Sequence, residues 1–496
     1  MLSLLQQGLD AVFTFQVLGL VLFGTVIGII FGAIPGLTST MAVALFLPIT
    51  YTLSPGAGIS LLVALFVGGT SGGLISAILL KIPGTPSSIA TTFDGGPMME
   101  KGEAVKALGA GIVFSFLGTL FSIAALVFIA PTLAKVALRF GPHEYFAIAV
   151  FSLTLIATLA SGSMIKGIFS GVVGFAFATV GIAPVDAVTR YTFGYADLNG
   201  GFQILTVLIG LFAVSEIIKV AETVRHEQKA SIGTVSMKNI KGFGFSMQEF
   251  FGQGWNFIRS SIIGTGIGIL PGIGGGTSNI VSYIVAKNRS KHPEKFGTGI
   301  LDGVVASETA NNASIGGAMV PLLTLGIPGD AVTAVMLGGF MIQGIQPGPL
   351  LFVSQGALVY TIFVALLLST VMMLVCEFYG LRIFIKLLAV PKHILLPIIL
   401  VLCVVGSFGL DSNLFDVWTI LLFGLIGYGF LKVGISLPPF IIGFILGPMA
   451  ETNLRRGLQL SDGDFTGFLT NPISAAFLAL SLASVLWSLY QSRKPR

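Results

Sequence analysis

Charge is what this sequence has least of. Asp, Glu, Lys and Arg make up 9% of its 496 residues, against about 25% in a soluble domain. Hydrophobic residues make up 54% and the mean hydropathy is +0.95, which excludes a soluble fold. Cysteine is nearly absent: Cys376 and Cys403 both lie in apolar stretches, so neither a disulfide framework nor a thiolate metal site is indicated. Histidine is also scarce, and no two of His143, His226, His292 and His393 have metal-ligand spacing. No Gly-x4-Gly-Lys-Ser/Thr loop and no His-Glu-x-x-His pair occurs, which counts against an ATP-driven pump and an intramembrane enzyme. The N-terminus has neither a basic n-region nor a small-residue cleavage site, so the first span is expected to remain. The net charge of +5 does not point to nucleic acid, because the Lys and Arg fall in short loops where they orient a membrane protein.

What the sequence has in excess is long apolar stretches and 65 glycines. Apolar windows lie near 15–34, 57–80, 105–130, 144–161, 164–183 and 202–221, then near 256–286, 303–326, 331–346, 350–376, 393–410, 416–433, 436–448 and 471–489. A helix of about 20 apolar residues crosses a hydrocarbon core of roughly 30 Å. The expected fold is therefore all-α and polytopic, with about 10–12 transmembrane helices. A polar stretch, 222–255, carries Arg225, Lys229, Lys238 and Lys241 and is the expected cytoplasmic linker between membrane repeats 1–221 and 256–496.

The repeats are visible as punctuation. Gly28, Gly32, Pro35 and Gly36 return as Gly264, Gly268, Pro271 and Gly272, 236 residues on. Ile82-Pro83-Gly84 returns as Ile327-Pro328-Gly329, 245 residues on. Paired, Gly/Pro-broken apolar segments are the sequence sign of a secondary transporter whose site lies between two repeats. Charge sets their orientation. Residues 1–80 contain no Lys or Arg, whereas Lys287, Arg289, Lys291 and Lys295 follow the second copy; after the Ile-Pro-Gly landmark the bias reverses. By the positive-inside rule the two repeats have inverted topology. Segment 256–286 has arms of about 16 and 10 residues around Pro271, too short to cross singly, and reads as a re-entrant or broken-helix hairpin. A second such hairpin is expected around 24–50.

Unwound backbone at membrane depth survives only where it is buried in protein or lines a wet cavity. Its N–H groups at half-helix starts favour anions, and its carbonyls favour cations. Pro35, Gly36, Thr38, Ser39 and Thr40 in one copy, and Gly272, Gly275, Thr277, Ser278 and Asn279 in the other, join a break to hydroxyl or amide groups suited to a carboxylate. Thr85 and Ser87, after Pro83-Gly84, start a further helix and are candidate substrate contacts. The competing reading of all of them is close helix packing and local capping. Glu308, Asn311 and Asn312 interrupt an apolar window, and Asp330 follows Pro328-Gly329; these are the candidates for a coupling cation or proton, against a purely structural hydrogen-bond network. No residue is a candidate catalyst or metal ligand. Lys81 and Lys166 stand at window edges, where snorkelling explains them.

The run Gly68-Gly69-Thr-Ser-Gly72-Gly73 through Lys81-Ile-Pro83-Gly84-Thr85-Pro86, with Asp94-Gly95-Gly96-Pro97-Met98, resembles the large membrane subunit of tripartite tricarboxylate transporters, the TctA family. The Pro35 stretch and Gly264 to Gly276 fit as well. The resemblance implies import of tricarboxylates such as citrate by Na⁺ or H⁺ symport in a bacterial inner membrane, without a cofactor. It also implies a small four-span membrane subunit and a periplasmic substrate-binding protein as partners. A cation/proton antiporter without an organic substrate is the rival reading.

Overall fold

The computed structural model describes residues 2–159, 163–224, 243–388, 390 and 392–492. Most of the expected linker, with Arg225, Lys229, Lys238 and Lys241, lies outside the described residues. The chain opens with helices α1 (Leu2–Val12), α2 (Phe15–Ala33), α3 (Ser39–Thr50), α4 (Pro55–Leu79) and α5 (Thr91–Glu100). α6 (Ala104–Ala137), α7 (Pro142–Leu159) and α8 (Met164–Ala178) lead to a small antiparallel hairpin, β1 (Gly181–Ile182) and β2 (Thr189–Arg190). α9 (Ile204–Leu208) runs through a π-helical turn, Ile209–Val214, into α10 (Ser215–Val224). The second half holds α11 (Met247–Gly252), α12 (Gly254–Ile269), α13 (Gly274–Arg289), α14 (Leu301–Leu325), α15 (Ala331–Ile342), α16 (Leu351–Ser354) and α17 (Gly356–Leu387). α18 (Lys392–Asp411), α19 (Leu414–Lys432), α20 (Pro438–Leu460), α21 (Thr466–Thr470) and α22 (Pro472–Ser492) complete it.

The protein is an all-α polytopic membrane protein. Among the described residues eight helices are long and apolar enough to cross a membrane, and four shorter apolar helices accompany them. Most helix limits fall within a few residues of the apolar windows. Two exceptions share one cause: hydropathy stops at the first charge, whereas backbone hydrogen bonding does not. α13 continues through Lys287 and Arg289, cations favourable at a helix C-terminus, so both arms of its hairpin have 16 residues instead of 16 and 10. At 1.5 Å per residue each is about 24 Å, still short of a hydrocarbon core. α17 likewise runs on to Leu387 past the window's end at 376.

The chain forms two compact units that cut across the sequence halves. Met1–Pro131 with Glu216–Gly406 makes one, and Thr132–Ser215 with Ser407–Arg496 the other. In the second unit α8 packs on α20, with Gly174 against the Phe440 carbonyl and Gly443 against the Gly171 carbonyl. The β-hairpin there is held by Arg190, which donates to both Glu451 oxygens at 2.7 and 3.2 Å, and by Arg455 on Asp186 at 2.6 Å.

All the breaks lie in the first unit. α2 stops at Pro35-Gly36, where Gly36 has φ +93°, and α12 stops at Pro271-Gly272, where Gly272 has φ +76°. Such backbone is open to glycine at no steric cost. The two hairpins are then seated by the same contacts. A side chain on Gly28 would strike the Leu65 carbonyl, and one on Gly264 the Ala310 carbonyl. Gly32 meets the Gly69 carbonyl as Gly268 meets that of Ser314. Gly72 meets the Ile29 carbonyl as Gly317 meets that of Thr265. Each partner pair is related by the 236- and 245-residue offsets of the sequence. α2 on α4 and α12 on α14 are thus the same packing made twice, with glycine admitting backbone to backbone.

This packing has a direct check on one helix. Gly268→Val forces its side chain into the Ser314 carbonyl, whereas Gly266→Val, two residues away, meets nothing within 4 Å. Overpacking costs about 1–3 kcal/mol or more. Gly268→Val should lower the thermal midpoint and yield of folded protein in detergent, and Gly266→Val should leave both near wild type.

Candidate functional site

The first unit gathers the four breaks by cross-packing. α3 packs on α15, and α13 packs on the short turn Pro86–Ser88, so each hairpin's second arm meets a segment of the other half. Capping chemistry starts three of these segments, and α13 is the exception. Thr38 caps α3, its hydroxyl oxygen accepting from Met41 N at 3.1 Å. Ser88 closes on Thr85, accepting from its N–H at 3.3 Å and donating to its carbonyl at 3.0 Å. Thr333 closes on Asp330 in the same way, at 2.8 and 3.0 Å, and Thr333 N donates to Asp330 Oδ1 at 2.7 Å. Thr85 and Asp330 are equivalent positions, 245 residues apart, one neutral and one acidic.

The start of α13 is the most open of these helix termini. Gly274 (φ +62°), Gly275 and Gly276 leave its first turn without side chains. The space a Gly275 side chain would fill is lined by Asn311 Oδ1 at 2.7 Å, Ser314 Oγ at 3.1 Å and Ser87 Cβ at 3.1 Å. Asn311 is fully buried, donates to the Thr70 carbonyl at 3.2 Å, and keeps its Oδ1 without a partner. The side chain of Asp330 borders the same turn, its Oδ2 3.6 Å from where a Gly274 side chain would begin. The first-turn N–H groups of a helix have no partners inside it, so the terminus suits an anion.

One turn deeper, α14 carries a closed polar cluster. Glu308, fully buried, accepts from Thr91 on α5, from Ser115 on α6 at 3.2 Å and from Asn312 at 3.4 Å. Asn312 also donates to Ser115 at 2.7 Å, while its Oδ1 is unpartnered. Asn279 bridges the halves: its Oδ1 accepts from Ala90 N at 2.7 Å, and its Nδ2 donates to Thr91 at 3.3 Å and to the Ser307 carbonyl at 3.1 Å. Ser278 donates to the carbonyls of Gly275 and Ala310, at 2.9 and 3.0 Å.

The structure therefore brings Gly275, Ser87, Asn311 and Asp330 to one place, with Glu308, Asn312, Ser278 and Asn279 behind them. Gly272 precedes this terminus in the break itself. Pro35, Gly36, Thr38, Ser39 and Thr40 form the other break, where Ser39 lies against Gly69. Thr277 faces outward and is exposed. Lys81, at its window edge, pairs with Glu100.

Several residues escaped the sequence. Thr91 and Ser115 looked like ordinary hydroxyls in or beside apolar helices, which are too common in membranes to flag. Asp94 appeared only within a family-like motif. It is fully buried, and its Oδ1 accepts the N–H groups of Gly297, Gly299 and Ile300 at 2.8–3.0 Å while Oδ2 accepts from Tyr283 at 2.9 Å. Glu377 lay one residue beyond its apolar window, yet an acid inside an unbroken apolar helix was the available signal.

A model of the Tripartite tricarboxylate transporter TctA family matches residues 18–442. The chain belongs to the TctA family. A 52.8 kDa uncharacterized protein of Agrobacterium vitis, from the TAR-I ttuC' 3' region, is 37% identical over 469 residues, 95% of this chain and 92% of that one. Another uncharacterized protein of that organism, from the TAR-II ttuC' 3' region, is 39% identical over 229 residues, 46% of this chain and 95% of its own length. As a TctA protein the chain is a multi-pass transporter subunit, and the breaks and the cluster around Glu308 all fall within the matched residues.

Asp94 gives this architecture a measurable pin. Asp94→Ala removes the acceptor of three partly buried backbone donors, each hydrogen bond to a charged group being worth about 1.5–3 kcal/mol. The thermal midpoint of the purified protein should fall by several degrees, and Tyr283→Phe, which removes one neutral hydroxyl, should lower it less.

Proposed function

We propose that this TctA protein is the large membrane subunit of a binding-protein-dependent secondary transporter that imports tricarboxylates or related carboxylates with Na⁺ or H⁺. One observation carries the reading. The side-chain-free start of α13 is enclosed by Ser87 from the other half and by a buried amide oxygen with no partner, Asn311 Oδ1. A helix N-terminus attracts a carboxylate, and an orphaned buried acceptor attracts a donor or a cation. In this reading the substrate carboxylate sits on the N–H groups after Gly274, with Ser87 and Thr85 donating from the facing turn. Thr38, Ser39 and Thr40 offer the equivalent turn of the first copy.

The coupling ion belongs with Asn311 and Asp330 beside this terminus and with Asn312 and Glu308 behind them, where Asn311 Oδ1 and Asn312 Oδ1 have no partner. The two repeats have inverted topology, as the Lys/Arg distribution supports. A periplasmic binding protein delivers the substrate and a small four-span subunit completes the complex, in a bacterial inner membrane. The buried Glu308 cluster alone equally suits cation/proton antiport, which needs no organic substrate.

The test is uptake of labelled citrate into proteoliposomes holding the complete complex with its binding protein. Uptake should stop when Na⁺ and proton gradients are both collapsed; persistence would reject secondary coupling. Asn311→Leu should lower uptake at least about tenfold at unchanged expression, consistent with loss of a buried polar contact of about 1.4 kcal/mol or more. Equal loss of uptake and expression would instead favour a packing role. Cation exchange that needs no binding protein would favour antiport.

A further inference from the structure

A second buried acid stands apart from this site. Glu377 lies in α17 with no exposed surface, on a helix otherwise apolar over most of its length. Its Oε2 accepts from Ser71 of α4 at 2.9 Å, and its Oε1, also buried, has no partner. A buried carboxylate with one neutral donor and no cation is costly by several kcal/mol, and such a group neutralises instead.

Two ways of neutralising it are open, and the surroundings choose between them. A hard cation takes about six or more oxygen ligands. Here the Ser71 hydroxyl donates to the carboxyl, and among the described residues no group of three or more His, Cys, Asp or Glu is placed to hold a metal ion. Among the described residues no counter-charge from protein lies against it either. α2, α4 and α16, which pack on α17, contain no titratable residue, and α1 offers only the exposed Asp10. α5, α6 and their connection, which share the apolar core around Leu381 and Phe384, bring the buried Asp94, held by Tyr283 and the 297–300 loop, and Glu100, Lys101, Glu103 and Lys106, which are exposed or half-exposed. On α17 itself, Cys376 is uncharged and Arg382 and Lys386 lie beyond a turn away. Glu308, across α4, is another acid.

We propose that Glu377 is a proton-binding site: its carboxylate takes one proton from water on Oε1 and becomes the neutral acid, with Ser71 donating to Oε2. It is separate from the anion-binding terminus but joined to it by α4. Thr70, the residue before Ser71, accepts from Asn311 through its carbonyl. A shift of Asn311 on substrate binding therefore bears on the helix that holds the Glu377 hydrogen bond.

The test reads the proton directly and needs no substrate. Infrared spectra of the full-length protein reconstituted in lipid, from about pH 5 to about pH 9, cover the span over which buried Glu titrates. A buried protonated-carboxyl C=O band should be present at neutral pH, should be lost in Glu377→Gln, and should survive in Glu308→Gln. Ser71→Ala, which keeps the acid, should shift that band to higher frequency by removing its hydrogen bond. A spectrum unchanged by Glu377→Gln, or a band unmoved by Ser71→Ala if the first variant does not fold, overturns the assignment. Failure of carboxylate uptake leaves these bands as they are, so the two readings fail separately.

Discussion

Everything in the first unit depends on closing backbone against backbone around broken helices. Within a bilayer no water is at hand for a free N–H or C=O, so a helix can stop only where protein replaces it. Gly32 over the Gly69 carbonyl and Gly268 over the Ser314 carbonyl supply that cover. Without a side chain at these positions, α2 and α12 lie directly on α4 and α14, and Pro35 and Pro271 end them inside protein. Gly84 and Gly329 repeat the device after the next break, against the carbonyls of Gly32 and Gly268. The breaks are thereby held by the helices that create them.

Sealing is incomplete at one terminus, and that incompleteness is chemically informative. Thr38 and Asp330 satisfy N–H groups at the starts of α3 and α15 with their own oxygens. α13 instead opens with three glycines and has Asn311 Oδ1 facing it unpaired. Native interiors pair nearly all buried polar atoms, and the proposed site rests on this orphaned acceptor standing beside an uncapped helix start. Behind it, Glu308, Asn312, Ser115, Thr91 and Asn279 are closely interlinked, and they tie α5 and α6 of one half to α13 and α14 of the other. At the terminus Asn311 Oδ1 is unpartnered, and the groups farther back are mostly engaged.

The contrast between Thr85 and Asp330 shows how duplication leaves room for divergence. Both cap a helix, and both are closed by a hydroxyl three residues on. The cap needs only an oxygen, so packing does not distinguish Thr from Asp. Charge does, and the second copy alone has an acid at this position.

Apolar run length, scarcity of charge and the recurrence of Gly and Pro at 236 and 245 residues determined by themselves that this is a helical membrane protein with two broken hairpins. Those features are local, and hydrophobic thickness and glycine's backbone freedom act locally. The sequence also pointed to Glu308, Asn311 and Asn312, because polar groups interrupting an apolar run stand out without any knowledge of neighbours. Tertiary structure alone decided that Ser87 faces Gly275, that Asp94 holds the 297–300 loop, and that Thr91 and Ser115 serve Glu308. It also decided that the compact units cut across the halves. Each of these is a contact between residues about 190 or more positions apart, and periodicity carries no information about which face of a distant helix a side chain will meet.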